Sequence, residues 1–310
     1  MYALFEASNT EGDVVDFIRQ TYSSGHGLTR GKELFTAIKK EITGKQNAVE
    51  FSEDLRRHAA LYQALLNPAH PHWKQFSPPT AGHVGTLNFL GLTRIRPLLL
   101  AILQKFPSED VETALRRAVS WGVRLTVIGS LGSGSVEESF CQRAKEINDG
   151  AIGDADSLSK AIETIIPTDT VFEEAFKVLI VTKNKLARYL LQALERKSSG
   201  DTEPELVVNT DPTELNLEHV LPQNLGTNWP GIAPEVAAAN AYRLGNMVLL
   251  RKSENESLGN DGFAKKKPIL LASSLVLTKR VGQSADWGPA EIKRRQDELA
   301  KLAIAVWPLR

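Results

Sequence analysis

Residues 215–223 read LNLEHVLPQ, and residues 242–250 read YRLGNMVLL. In an extended chain, Leu215, Leu217 and His219 share one face, with Asn216, Glu218 and Val220 on the other. The alternation predicts a strand over residues 214–220. Tyr242–Leu250 is a second strand-like run, with Gly245 at a bend or bulge. Ser253-Glu-Asn-Glu256 has the spacing of a capping box, which predicts a short helix opening at about Glu254. Strand, loop, strand, helix is the order of a ββα unit. A last helix over 289–307 sets Ile292, Leu299, Leu302 and Val306 along one side, ready to pack over that unit.

Upstream the pattern changes. Val14–Gln20, Lys32–Ile42, Ser52–Leu66, Arg96–Lys105 and Val111–Gly122 carry apolar residues three and four apart, which predicts helices. Ser157–Ile166 and Val171–Leu194 do the same. Pro68, Pro71, Pro78 and Pro79 mark a long loop before the Arg96 helix. Val123–Val127 has the β-branched content of a strand but is too short to assign. Small and polar residues over 197–204 (KSSGDTEP) suggest a domain boundary. The expected fold is α+β and predominantly α: a helical region over 1–200 and a small ββα domain, wrapped by helices, over 201–310.

The 310 residues suffice for two domains with their own cores. No apolar run is long enough to span a bilayer, and the first residues lack the basic and apolar regions of a signal peptide. The expectation is a cytoplasmic protein with no membrane partner. The single cysteine, Cys141, excludes an internal disulfide and a Cys-rich zinc clamp. Net charge is zero, but from Ala241 onward there are 13 Lys and Arg against 7 Asp and Glu. A basic end on an acidic chain is what a phosphate-binding face would produce, and equally what a solvated helix surface would produce.

Chemistry concentrates in three places. His219 is the side chain suited to take a proton from water near neutral pH. Glu218 beside it can offer oxygen to a hard cation. Asn246 and Asn255 follow in order, the second in the first turn of the short helix, with its oxygen able to point back toward the hairpin. Singly, each has a bland reading: a structural Glu-His pair, a turn asparagine beside glycine, an exposed polar residue. Their order on the expected elements is the signal. The segment 129–135 (GSLGSGS) lacks the Gly-Lys-Ser/Thr ending of a P-loop and reads as a loop. His70, His72 and His83 read as structural, and Trp229 and Trp287 as core anchors.

LEHVLPQ, YRLGNMVLL, SENESLGNDGFAKKK, Trp287 and EIKRRQDELAKLAIAVWPL together resemble the C-terminal domain of GmrSD-type, modification-dependent (type IV) restriction endonucleases. That domain belongs to the HNH, or His-Me finger, nucleases, whose ββα unit binds a metal. WGVR at 121–124 and NKLARYLL at 184–191 resemble the middle region of the same proteins more loosely. The family's N-terminal ParB-like nucleotide-binding domain, with its DGQQR-type motif, is not found in this sequence; the resemblance then implies either a C-terminal fragment or a split gene.

The resemblance implies that His219 is the general base, Glu218 an acidic metal ligand, Asn246 the brace of the His-bearing loop and Asn255 the last metal-holding position. The name-giving motif has His at that last position; an asparagine oxygen there suits Mg²⁺ or Mn²⁺ better than Zn²⁺. Lys265 or Lys266 would lie near phosphate, and Arg243, Arg251 and Lys252 would track the DNA backbone. The implied activity is metal-dependent hydrolysis or nicking of foreign or modified DNA in antiphage defence. The alternatives are a helical interaction or nucleic-acid-binding module that does not cut, and an RNA-cleaving toxin of the same chemistry.

Overall fold

The computed structural model describes residues 11–130, 132–206, 215–255 and 258–310, without the side chains of residues 11–13, 253 and 255. It falls into two compact units divided between Ile166 and Pro167, with Arg310 grouped with the first.

The first unit is helical among its described residues: α1 (Glu11–His26), α2 (Gly31–Glu41), α3 (Lys45–Leu66), α4 (Pro78–Phe89), α5 (Arg96–Lys105), α6 (Ser108–Val127), α7 (Gly134–Asn148) and α8 (Ala155–Ile162). Helix α3 starts after Gly44, one to two turns before the expected Ser52. The proline-rich stretch is not one long loop. Pro71–Gln75 is a 3₁₀ turn, and Pro78 and Pro79 occupy the first turn of α4, where a missing N–H costs nothing. Val123–Val127 completes α6 and forms no strand; Val123 and Leu125 are buried among helices, so packing overrides β propensity. The glycine-rich segment leads into α7, where Ser133 Oγ accepts the N–H of Val136 at 3.3 Å. Cys141 is buried in that helix.

The second unit opens with α9 (Asp169–Lys177) and α10 (Asn184–Ser198), two helices where the apolar pattern suggests one. Between them the β-branched run at 178–182 is extended enough for Ile180 to bridge to Arg243. Then come β1 (Leu215–His219), α11 (Pro234–Ala241), β2 (Met247–Arg251), α12 (Lys252–Asn255), α13 (Phe263–Ala272), α14 (Val276–Gly282) and α15 (Pro289–Val306). The polar segment at 197–204 therefore lies inside this unit, with α9 and α10 packed on α15. An aromatic group of Phe172, Phe176, Tyr189 and Trp307 joins them, and Trp307 Nε1 donates to Tyr189 Oη at 3.2 Å.

Strands β1 and β2 pair antiparallel, with Leu215 opposite Arg251 and His219 opposite Met247. Below them lies a core of Val220, Leu221, Trp229, Val248, Leu250, Phe263, Leu270, Trp287 and Ile292, so both tryptophans are core anchors. The four residues of β2 from Met247 to Leu250 are all buried, which matches their unbroken apolar run. Among the described residues no helix is long and apolar enough to cross a membrane.

Candidate active site

His219 ends β1, and the residues on either side of it are held by different parts of the chain. On the N-terminal side, Lys266 of α13 donates from Nζ to Glu218 Oε1 at 2.6 Å and to the His219 carbonyl at 3.0 Å. Lys266 is fully buried. On the C-terminal side, the Val220 N–H bonds the Asn246 carbonyl at 3.0 Å, extending the strand pairing by one residue. The Asn246 side chain then takes both backbone groups of Leu221, accepting its N–H at 2.8 Å and donating to its carbonyl at 2.8 Å. The imidazole thus hangs between two clamps.

Asn246 is itself fixed. It is wholly buried, donates also to the Ala241 carbonyl at 3.2 Å, and accepts from Trp287 Nε1 at 3.2 Å. Every hydrogen-bonding direction of its amide is directed at protein, so it positions the His219 loop and cannot touch a substrate. Helix α15 supports the turn that carries it. Arg295 Nη1 donates to the carbonyls of Leu244, Gly245 and Met247 at 3.2, 2.8 and 2.7 Å. Gln296 Oε1 accepts the Gly245 N–H, and its Nε2 donates to the Phe176 carbonyl at 2.7 Å. The turn lies so close to α15 that a Cβ on Gly245 would stand 2.3 Å from the Ile292 carbonyl oxygen. Glycine is required there for space.

The ring of His219 meets the Tyr242 ring edge-on, centroids 5.7 Å apart at 84°. Its Nε2 is buried and makes no hydrogen bond among the described residues. Burial, and after it the Lys266 ammonium, holds the imidazole below its ordinary pKa; it is neutral, and a proton acceptor, at neutral pH. Burial pushes the Glu218 carboxyl up, and attraction to Lys266 offsets only part of that. Removing one partner of such a buried pair costs about 3–5 kcal/mol.

The residues expected to meet phosphate separate into two groups. Lys266 is inside the protein, committed to Glu218. Arg243 is half-buried, and its Nη2 donates to the Lys177 carbonyl at 2.8 Å; beside it the Val181 N–H bonds the Tyr242 carbonyl. Its guanidinium joins two segments of the unit. Arg251, Lys252 and Lys265 are exposed, Lys265 in an i,i+4 ion pair with Asp261 at 3.2 Å. Arg251 and Lys252 stand at the end of the hairpin away from His219, about 13 Å along four strand residues.

Helix α12 opens at Lys252, not at Glu254. Glu254 is its third residue and accepts the Arg251 N–H at 2.9 Å, half of a capping box two residues earlier than Ser253 suggests. The helix packs on both strands and ends at Asn255. The side chains of Ser253 and Asn255, and all of Glu256, lie outside the described residues.

Among the described residues no three His, Cys, Asp or Glu cluster as a metal site. The donors at the end of β1 nevertheless suit a hard cation in kind. Glu218 is a mostly buried carboxylate ion-paired with Lys266 at 2.6 Å. Its Oε2 accepts no hydrogen bond among the described residues, and an unpartnered imidazole nitrogen belongs to the next residue.

Sequence reading missed Arg295, Gln296 and the burial of Lys266. A signal existed: Arg295 and Gln296 sit three and four residues after core-facing Ile292, and Lys266 sits three after Phe263 and four before Leu270. A polar side chain on an apolar stripe is a buried polar group in need of partners.

Residues 166–302 match the family described as GmrSD restriction endonucleases, C-terminal domain. No curated protein matches the chain.

Proposed function

Because residues 166–302 belong to the family of GmrSD restriction endonuclease C-terminal domains, we propose that this chain is the nuclease part of a restriction system, cutting or nicking DNA at His219. The observation that carries the reading is the double clamp around His219, whose Nε2 has no hydrogen-bond partner among the described residues. On this reading the hairpin and α12 form a ββα-metal unit of HNH type.

His219, neutral near pH 7, accepts the proton of the attacking water at Nε2. Lys266 and Asn246 set the ring's place before substrate arrives, which removes a reorganisation cost from the reaction. Tyr242 borders the ring and limits its rotation. Glu218, with Asn255, is the ligand set for Mg²⁺ or Mn²⁺, which when bound stabilises charge on the phosphate and the departing 3′-oxygen. Arg251, Lys252 and Lys265 contact the DNA backbone away from the cut, through salt-sensitive contacts with little sequence information. The wider setting is antiphage defence against foreign or modified DNA, with a ParB-like nucleotide-binding domain as partner.

The test is incubation of the full chain with supercoiled plasmid, and separately with an RNA transcript, in Mn²⁺ or Mg²⁺ and with EDTA. Nicking or linearisation of plasmid that EDTA abolishes supports the proposal. RNA cleavage alone would reassign the substrate, and plasmid binding without cleavage would leave a nucleic-acid-binding module.

A further inference from the structure

Along α15, positions 291, 294, 298 and 301 recur at three- and four-residue steps, so Glu291, Arg294, Glu298 and Lys301 share one face. That face and α14 line an open cleft of about 710 Å³, within the size range of small-ligand sites. Arg280 of α14 also lines it, and the buried Arg295 and Trp287 stand in its wall. Opposite charges three or four apart on a helix commonly pair. Here they do not: Arg280, Arg294 and Lys301 form no ion pair or side-chain hydrogen bond among the described residues. The ion pair within α15 joins Lys293 to Asp297, and neither lines the cleft. Four cations against two carboxylates leave the lining with an excess of positive charge.

Arg295 is the decisive group. Only 7% of it is exposed, and its Nη1 is spent on the carbonyls of Leu244, Gly245 and Met247. Nε and Nη2 make no hydrogen bond among the described residues, yet neither is sealed from solvent. Burial lowers the pKa of this guanidinium to about 10, and Glu195 and Glu298 offset part of that from beyond ion-pair distance. It is charged at neutral pH. Glu195 is occupied by the N–H groups of Val276 and Leu277, and Glu298 is exposed. A buried charge ordinarily has a counter-ion in contact; this one has carbonyls on Nη1 and a cleft in which to meet an anion.

We propose that the cleft between α14 and α15 is an oxyanion site that takes a phosphate group on Arg295, with the exposed Arg280 and Arg294 at its rim. A guanidinium offers paired donors at the spacing of two phosphate oxygens. The site needs neither a metal nor cleavage at His219, but it backs onto the support of that residue. Arg295 holds the turn that carries Asn246, and Trp287 donates to the Asn246 side-chain oxygen. A phosphate in the cleft would therefore share a guanidinium with that turn.

The test is calorimetric titration of the full chain, in low salt and without divalent metal, with inorganic phosphate and separately with a short single-stranded DNA. Arg280→Gln with Arg294→Gln removes two exposed cations and leaves Arg295 in place. Arg251→Gln, outside the cleft lining, is the control. The expected result is one saturable phosphate site per chain, weakened about tenfold in the double variant and unchanged in Arg251→Gln. No saturable phosphate binding by wild type, or equal affinity in wild type and the double variant, overturns the inference. Where phosphate binding is weakened as expected, an equal loss of DNA affinity identifies a nucleic-acid backbone as the source of the phosphate. DNA affinity that does not change identifies a small phosphate-bearing molecule instead. If circular dichroism shows the double variant unfolded, a crystal structure of the wild type grown with phosphate decides. A phosphate on Nε or Nη2 of Arg295 supports the proposal, and a cleft without one overturns it. Neither titration measures cleavage, so the nuclease reading stands or falls separately.

Discussion

Asn246 bonds both the N–H and the carbonyl of Leu221, two residues beyond His219, each at 2.8 Å. A single buried amide therefore fixes the exit of β1, while Lys266 fixes the peptide that enters His219. The candidate base is placed by residues that come 27 and 47 positions later in the chain.

Asn246→Ala leaves both backbone groups of Leu221 buried and unpaired. The expected loss of stability is about 3 kcal/mol, read as a lower urea midpoint. Where the variant is still folded, cleavage should drop by about a hundredfold, since small misplacements of a reacting group have that effect. Wild-type cleavage by folded Asn246→Ala would show that the brace does not position the base.

In the metal-free protein, the imidazole of His219 should titrate below the ordinary histidine value of about 6.5, because burial first and Lys266 second oppose its protonation. NMR titration, with His219→Gln to assign the signal, reads this directly. Between the lowered value and the ordinary one, the unfolded chain binds the extra proton. This residue thus contributes a loss of stability as pH falls through that window. A midpoint above the ordinary value would contradict the described environment.

Gly245→Ala places a Cβ 2.3 Å from the Ile292 carbonyl oxygen and 3.0 Å from Gln296. Helix α15 must shift, at about 2 kcal/mol, and a lower thermal midpoint should follow. Gly153→Ala, where a Cβ meets nothing within 4 Å, is the control and should leave the midpoint in place. Equal midpoints for the two variants would show that the turn does not press on α15 as described.

Cys141 is buried, and burial pushes its thiol up to about 12. At pH 8 Ellman's reagent should give no colour with the native chain and one thiol per chain in guanidinium. Rapid reaction of the native protein would contradict the packing of α7.

The hairpin was legible because period-two alternation over 215–220 and an unbroken apolar run over 247–250 each have one good structural solution. Asn246 was legible as a brace through its place beside Gly245 in the resemblance, although only the structure says what it holds. Val123–Val127 was too short to assign from its β-branched content, and in the helix Val123 and Leu125 are buried and obey packing before propensity. The helices at 78–89 and 134–148 were obscured by the prolines and glycines that open them. The division at Ile166 was invisible since it depends on Phe172 and Phe176 meeting Trp307, a pairing across more than a hundred residues that no local pattern encodes. Lys266 was read, with Lys265, as a candidate for the phosphate through the resemblance; its spacing from Phe263 and Leu270 carried the message that it is buried.

The most direct test of the account is cleavage of supercoiled plasmid by His219→Ala beside wild type, in Mn²⁺, with both proteins verified as folded by circular dichroism and thermal midpoint. Loss of the general base should lower the nicking rate by about 10²–10⁴-fold while the fold persists. A folded His219→Ala that nicks as fast as wild type would contradict the assignment of this histidine as the catalytic centre.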